Sequence, residues 1–177
     1  MKKLIFSMAT LLVFTAVFAF AVAQKWAIAG NYSIKFSSSD VSGIFKTFSG
    51  NIVFDEANLA ASKFDVSIDV NSINTGNGLQ NKHAKGAEWF DAAKYPAIKY
   101  SSKKIVKAGN GYQVTGDLQI KGITKEYTIP FTFKKAGAGA TFNGSFTVNR
   151  SDFNIGKPGG DVAEQIKIDV AVPVNKG

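Results

Sequence analysis

The chain has 177 residues, no cysteine, one histidine and a formal net charge of +8 at pH 7. Without thiols there are no disulfides, no lipid-modified N-terminal cysteine and no cysteine chemistry. Arg150 is the only arginine, so the positive charge comes from lysines and lacks the arginine clusters of a nucleic-acid reader.

Lys2 and Lys3 precede an uncharged apolar stretch from Leu4 to Val22. It closes on Ala21-Val22-Ala23, the small-x-small pattern of signal peptidase sites. Residues 1–23 are predicted to be a signal peptide, with a periplasmic or secreted mature protein starting at Gln24. An uncleaved anchor is the alternative, since the stretch is nearly long enough to span a bilayer. Residues 24–177 suit one domain with its own core. The net charge drops to +6 once Lys2 and Lys3 leave, and the remaining lysines are scattered, reading as a solvated surface.

Period-two alternation predicts strands through nearly all of the mature chain. Tyr32, Ile34 and Phe36 alternate with polar residues, as do Phe64, Val66, Ile68 and Val70. Tyr112, Val114, Leu118 and Ile120 follow, then Tyr127, Ile129, Phe131 and Phe133, then Phe142, Phe146 and Val148, then Ile166 to Val172. Two less regular strands cover about Ile44–Asp55 and Ala97–Val106. Short turns join most of them, which implies antiparallel neighbours. About eight such strands with no helical layer favour a closed antiparallel barrel, with a flat sandwich as the alternative. The connection of residues 71–96 breaks the pattern. Leu79, His83 and Ala87 recur every four residues there, predicting a short helix before Trp89-Phe90. Long connections of this kind are usually lids or plugs.

The inward parity is rich in phenylalanine, and Gly50, Gly116 and Gly144 fall on it between large neighbours. Glycine there either leaves room beside the rings or lets a strand bend. A long eight-strand barrel is wide enough for side chains or one slender ligand. The predicted channel wall is Phe48, Phe54, Phe64, Ile68, Val114, Leu118, Phe131, Phe142 and Phe146. Trp89 and Phe90 are either a plug or part of that wall.

Several stretches, in order, resemble the YceI-like polyisoprenoid-binding family of small exported, lipocalin-like barrels. They include 48–55, Ser72-Ile73-Asn74-Thr75, Asn81-Lys82-His83 leading to Trp89-Phe90-Asp91, 95–102, 116–124 and 150–156. The chain departs from the family pattern at Tyr32, where a histidine is usual, and at Asn81-Lys82, which replaces Arg-Asp. A second histidine often seen after the first strand is missing from 37–40. The resemblance implies a polyisoprenoid chain, such as a quinone tail, bound in the channel for carriage, storage or sequestration. A filled barrel with a structural, interaction or stress-response role is the alternative. A homodimer joined mouth to mouth is a further open arrangement.

Neither enzymatic nor metal chemistry is expected. His83 has no metal-type cluster or nucleophile motif around it and is expected to pack near Trp89, bonded to loop backbone. Arg150, at a strand end, either holds a polar head at the channel mouth or pairs with a carboxylate such as Asp91 or Asp152 to lock the loops.

Overall fold

Strands form where apolar and polar residues alternate, and the computed structural model, which describes residues 23–177, resolves them into eleven segments. These are β1 (Lys25–Ile28), β2 (Ser33–Ser37), β3 (Ser42–Phe45), β4 (Phe48–Val53), β5 (Lys63–Asp69), β6 (Ile73–Asn74), β7 (Ala97–Ala108), β8 (Gly111–Ile120), β9 (Ile123–Ala136), β10 (Gly139–Asn149) and β11 (Gln165–Lys176). The one α-helix among the described residues, α1 (Gly78–Lys85), lies between β6 and β7. The predicted signal peptide, apart from Ala23, lies outside the described residues.

The eleven segments make eight barrel strands, because three strands are each interrupted once. β1 and β2 both pair with β11, at Trp26↔Lys176 and at Ile34↔Val170. β3 and β4 continue one another across Lys46-Thr47, and β5 and β6 across a 3₁₀ turn at Val70–Ser72. Every pairing is antiparallel, and β1 bonds to both β4 and β11, which closes the ring. Closure removes the exposed edges that an open sheet would carry.

The interruptions are paired locally. At Lys46-Thr47 the ladder breaks, and the Tyr32 hydroxyl takes its place. It accepts from the Phe48 N–H (3.0 Å) and donates to the Lys46 carbonyl (3.0 Å). A second break runs between β9 and β10. Their ladder covers only Phe131–Ala136 against Gly139–Gly144, and it stops next to Pro130, which has no N–H to give. Beyond it, the Tyr127 ring lies 5.9 Å from Phe153.

One end of the barrel is filled with aromatic rings. Phe54 is fully buried, with ring centroids of Phe133, Tyr112, Phe142 and Phe131 at 4.9, 5.1, 5.4 and 5.6 Å. Trp26 adds a ring 5.2 Å from Phe133 and donates its indole N–H to the Phe54 carbonyl at 2.9 Å. Each edge-to-face pair adds about 1 kcal/mol beyond its buried area. Gly50 and Gly116 serve the wall rather than the interior. A Cβ at Gly50 (φ +143°) would sit 2.2 Å from the Asp65 carbonyl, and one at Gly116 2.4 Å from that of Ser101. Close strand approach, not space for a ligand, explains both.

Candidate functional site

The other end of the barrel is hollow. A cavity of about 340 Å³ opens under α1 and continues toward the plug as a smaller one of about 150 Å³. Ile34, Ile68, Ile98, Leu118, Phe146 and Ile168 line both and form a waist. The register explains their convergence, since Ile68 faces Ile98 across β5–β7 and Phe146 faces Ile168 across β10–β11. Together the two spaces fall within the range of small-molecule sites.

The larger cavity is mainly apolar. Eight isoleucines border it, with Ile73, Ile120, Ile155 and Ile166 joining those at the waist, together with Phe36, Phe45, Trp89, Phe90 and Phe146. Of the predicted wall residues, Ile68, Leu118 and Phe146 line both cavities, and Phe48, Phe64, Val114, Phe131 and Phe142 line the smaller one. Phe54 lines neither, because it is the centre of the plug. Gly144 does border the smaller cavity. Tyr100 borders the smaller cavity, and its hydroxyl is satisfied. Its hydroxyl donates to the Val114 carbonyl (3.0 Å) and lies 3.2 Å from that of Tyr127, and burial pushes its pKa well up.

A lid covers the open end. Asn77 caps α1, its side chain accepting from the Leu79 and Gln80 N–H groups at 2.9 and 3.1 Å. Asn81 ties the helix to the segment before it by accepting from both the backbone and the hydroxyl of Thr75. After the helix, a left-handed Asp91 (φ 47°) turns the chain so that Trp89 and Phe90 face the cavity. Phe90 packs edge-on to Phe45 at 6.0 Å. These two aromatics are thus walls of the cavity as well as its cover. His83 also borders the cavity, but it is solvent-exposed rather than packed against Trp89 as the sequence reading expected. Within an eight-residue helix of hydrophilic character, it occupies the rim.

Arg150 is 3% exposed and builds the second half of the lid. Its N–H groups reach the carbonyls of Ile155, Lys157, Val162 and Ala163, and its plane lies 5.7 Å from the Trp89 ring. Its carboxylate partner is Glu164 at 3.3 Å, neither Asp91 nor Asp152. The loop-locking expectation holds, with a different partner. The Ser151 hydroxyl, the Gly159 N–H and Arg150 hold the Glu164 carboxyl below its usual range. Gly156 (φ +65°) lets the chain pass Trp89, whose ring carbons would lie 3.1 Å from a Cβ there. On the opposite rim, Asp40 accepts from Ser39 and from the Ala163 N–H, which lowers its pKa and ties the β2–β3 loop to the Arg150 loop. No group of three or more metal-type side chains occurs among the described residues.

Sequence comparison matches residues 24–174 to the model of the YceI-like domain. Protein YceI of Escherichia coli O17:K52:H18 is 32% identical over 140 residues, 73% of this chain and 71% of that protein. Among solved structures, Burkholderia cenocepacia BcnA superposes with a TM-score of 0.77 at 34% identity, covering 80% of this chain and 95% of that one. A polyisoprenoid binding domain from Saccharophagus degradans, implicated in plant cell wall breakdown, has the same fold at 15% identity. Its TM-score is 0.66, over 88% of this chain and 99% of that one.

Proposed function

The chain belongs to the YceI-like family, and from that premise we propose that it binds the chain of a long isoprenoid-type lipid inside its barrel, as a carrier, store or sequestering protein. The observation that carries this reading is the apolar interior beneath the lid, two cavities that share a waist of apolar side chains. Such a space offers a slender hydrocarbon about 0.8 kcal/mol per buried methylene. The polyisoprenoid binding domain of Saccharophagus degradans, with the same fold, supports the ligand class.

Export belongs to the same proposal. Backbone pairing of the barrel begins at Gln24, whose carbonyl accepts from the Phe54 N–H at 2.9 Å, directly after the Ala21-Val22-Ala23 pattern. The mature N-terminus of the exported protein is therefore expected at Gln24, as read by terminal sequencing.

Mass spectrometry of organic extracts from natively exported protein tests the binding role. A stoichiometric prenyl lipid is the expected result. Protein that is empty and also refuses added quinone or prenol would refute it. Ile168→Trp sharpens the test by placing an indole at the waist. That variant should retain short tails and lose long ones. Identical lipid profiles in both proteins would show that the tail does not pass the waist.

A further inference from the structure

The lid helix has two unlike faces. Gln80, His83 and Ala84 of α1 border the cavity, whereas Leu79, Lys82 and Lys85 do not. Leu79 and Lys82 are three residues apart, as are Lys82 and Lys85, a spacing that brings helix side chains together on the surface. Leu79 is 63% exposed and is the one exposed large hydrophobic among the described residues. It does not hold the lid in place, since no residue of α1 is buried.

The charge beside it is positive and free. Neither Lys82 nor Lys85 has an ion-pair partner among the described residues. No carboxylate occurs in the chain between Asp69 and Glu88. Several acids across the mouth are engaged. Glu88 faces Lys157 at 3.9 Å and Asp152 faces Lys125 at 3.7 Å. Glu164 takes Arg150 and Ser151, and Asp40 accepts from Ser39 and the Ala163 N–H.

The end of a helix dipole favours cations in its last turn, which accounts for the lysines but not for a bare leucine among them. An anionic bilayer accounts for both. It offers negative headgroups to the ammonium groups and a hydrocarbon boundary to the leucine.

Resting on the lipid-binding reading above, we propose that the lidded end docks on an anionic phospholipid bilayer. Leu79 enters the boundary between headgroups and acyl chains, and Lys82 and Lys85 meet the phosphates. The cavity opens under α1, so docking sets the mouth of the barrel against the membrane. An apolar tail then passes between bilayer and cavity with little exposure to water. Three side chains make a weak and reversible contact, with about fivefold in affinity from each lysine and about tenfold from the leucine.

The test is sedimentation of the full mature protein with vesicles at low salt. One set is phosphatidylcholine alone, the other equal parts phosphatidylcholine and phosphatidylglycerol. The protein is expected to pellet with the anionic set, to stay in solution with the neutral set, and to be released at about 1 M salt, where the screening length is about 3 Å. Lys82→Gln with Lys85→Gln should weaken pelleting by on the order of 25-fold, and Leu79→Ser by about tenfold. All three side chains are unburied, so the variants should keep the denaturation midpoint of the unaltered protein. Lys107→Gln with Lys134→Gln removes the same charge from exposed positions near the two hairpin turns beside the aromatic plug, and should change pelleting little. Equal loss in the two double variants overturns the inference, because net charge alone would then explain the binding. So does a protein that ignores the anionic vesicles, or a Leu79→Ser variant that pellets unchanged. Organic extracts keep the two readings apart. Protein that yields a prenyl lipid but never pellets refutes docking alone, and protein that pellets through the lid yet neither yields nor takes up such a lipid refutes the cargo and leaves docking supported.

Discussion

Replacing Arg150 by lysine keeps the charge but offers one ammonium where a planar fork now satisfies four carbonyls. We expect Arg150→Lys to destabilise the protein by about 3 kcal/mol, because the abandoned carbonyls stay buried and unpaired. Urea denaturation gives the size of the loss, and faster amide exchange confined to 155–164 gives its location. At Gly50 the cost is backbone strain. Alanine there meets the Asp65 carbonyl at 2.2 Å in a left-handed conformation, so Gly50→Ala should cost about 2–3 kcal/mol. Gly30→Ala, with nothing within 4 Å, is the matched control and should lie within about 0.5 kcal/mol of the unaltered protein. If both alanines behave alike, the close-approach explanation of Gly50 is wrong.

Among the elements, α1 is the one least supported by packing. None of its residues is buried, and Leu79 is 63% exposed. Its order rests on the Asn77 cap and on the Asn81–Thr75 tie. Asn77→Ala should cost about 1 kcal/mol of lid order. Stopped-flow fluorescence should show faster ligand release, with the global denaturation midpoint nearly unchanged. A short helix was expected from Leu79, His83 and Ala87 and does form, over Gly78–Lys85, but Leu79 and His83 are exposed and Ala87 lies beyond its end, so the repeat marks no buried face. The strands were legible as alternation because that pattern is local. What alternation cannot report is height along the barrel. It places Phe54 and Ile68 alike on the inside, yet one ends in the plug and the other at the waist. The aliphatic lining of Ile73, Ile120, Ile155 and Ile166 went unassigned for that reason, although each lies near an element end bordering the lid. The irregular patterns at Ile44–Asp55 and Ala97–Val106 did carry information. The first contains the break mended by Tyr32, and the second a bulge between Ser102 and Lys104. Strand β1 was missed because four residues are too few to establish a period.

For the molecule as a whole, acid is the clearest threat. Asp40, Glu56, Asp65, Glu164 and Asp169 all titrate below their ordinary values of 3.8 or 4.5, held down chiefly by hydrogen bonds from serine or lysine side chains. A depressed carboxylate binds its proton more weakly folded than unfolded. Its contribution is therefore complete above the ordinary value and is lost as pH falls through the lower folded one. Thermal midpoints should stay level from pH 7 to about 5 and then decline below about 4.5. Glu164→Gln should flatten part of that decline, and an unchanged slope would remove Glu164 from the set. The closed plug has a different consequence, concerned with traffic. Trp26, Phe54 and Phe133 seal one end, which leaves the lidded mouth as the doorway for the proposed lipid. On that proposal a passenger that enters tail first must leave head first. A carrier built this way would not thread cargo from a giver on one side to a taker on the other. It would have to let go of the giver, tumble, and present the same doorway again, making each delivery a round trip timed by the lid.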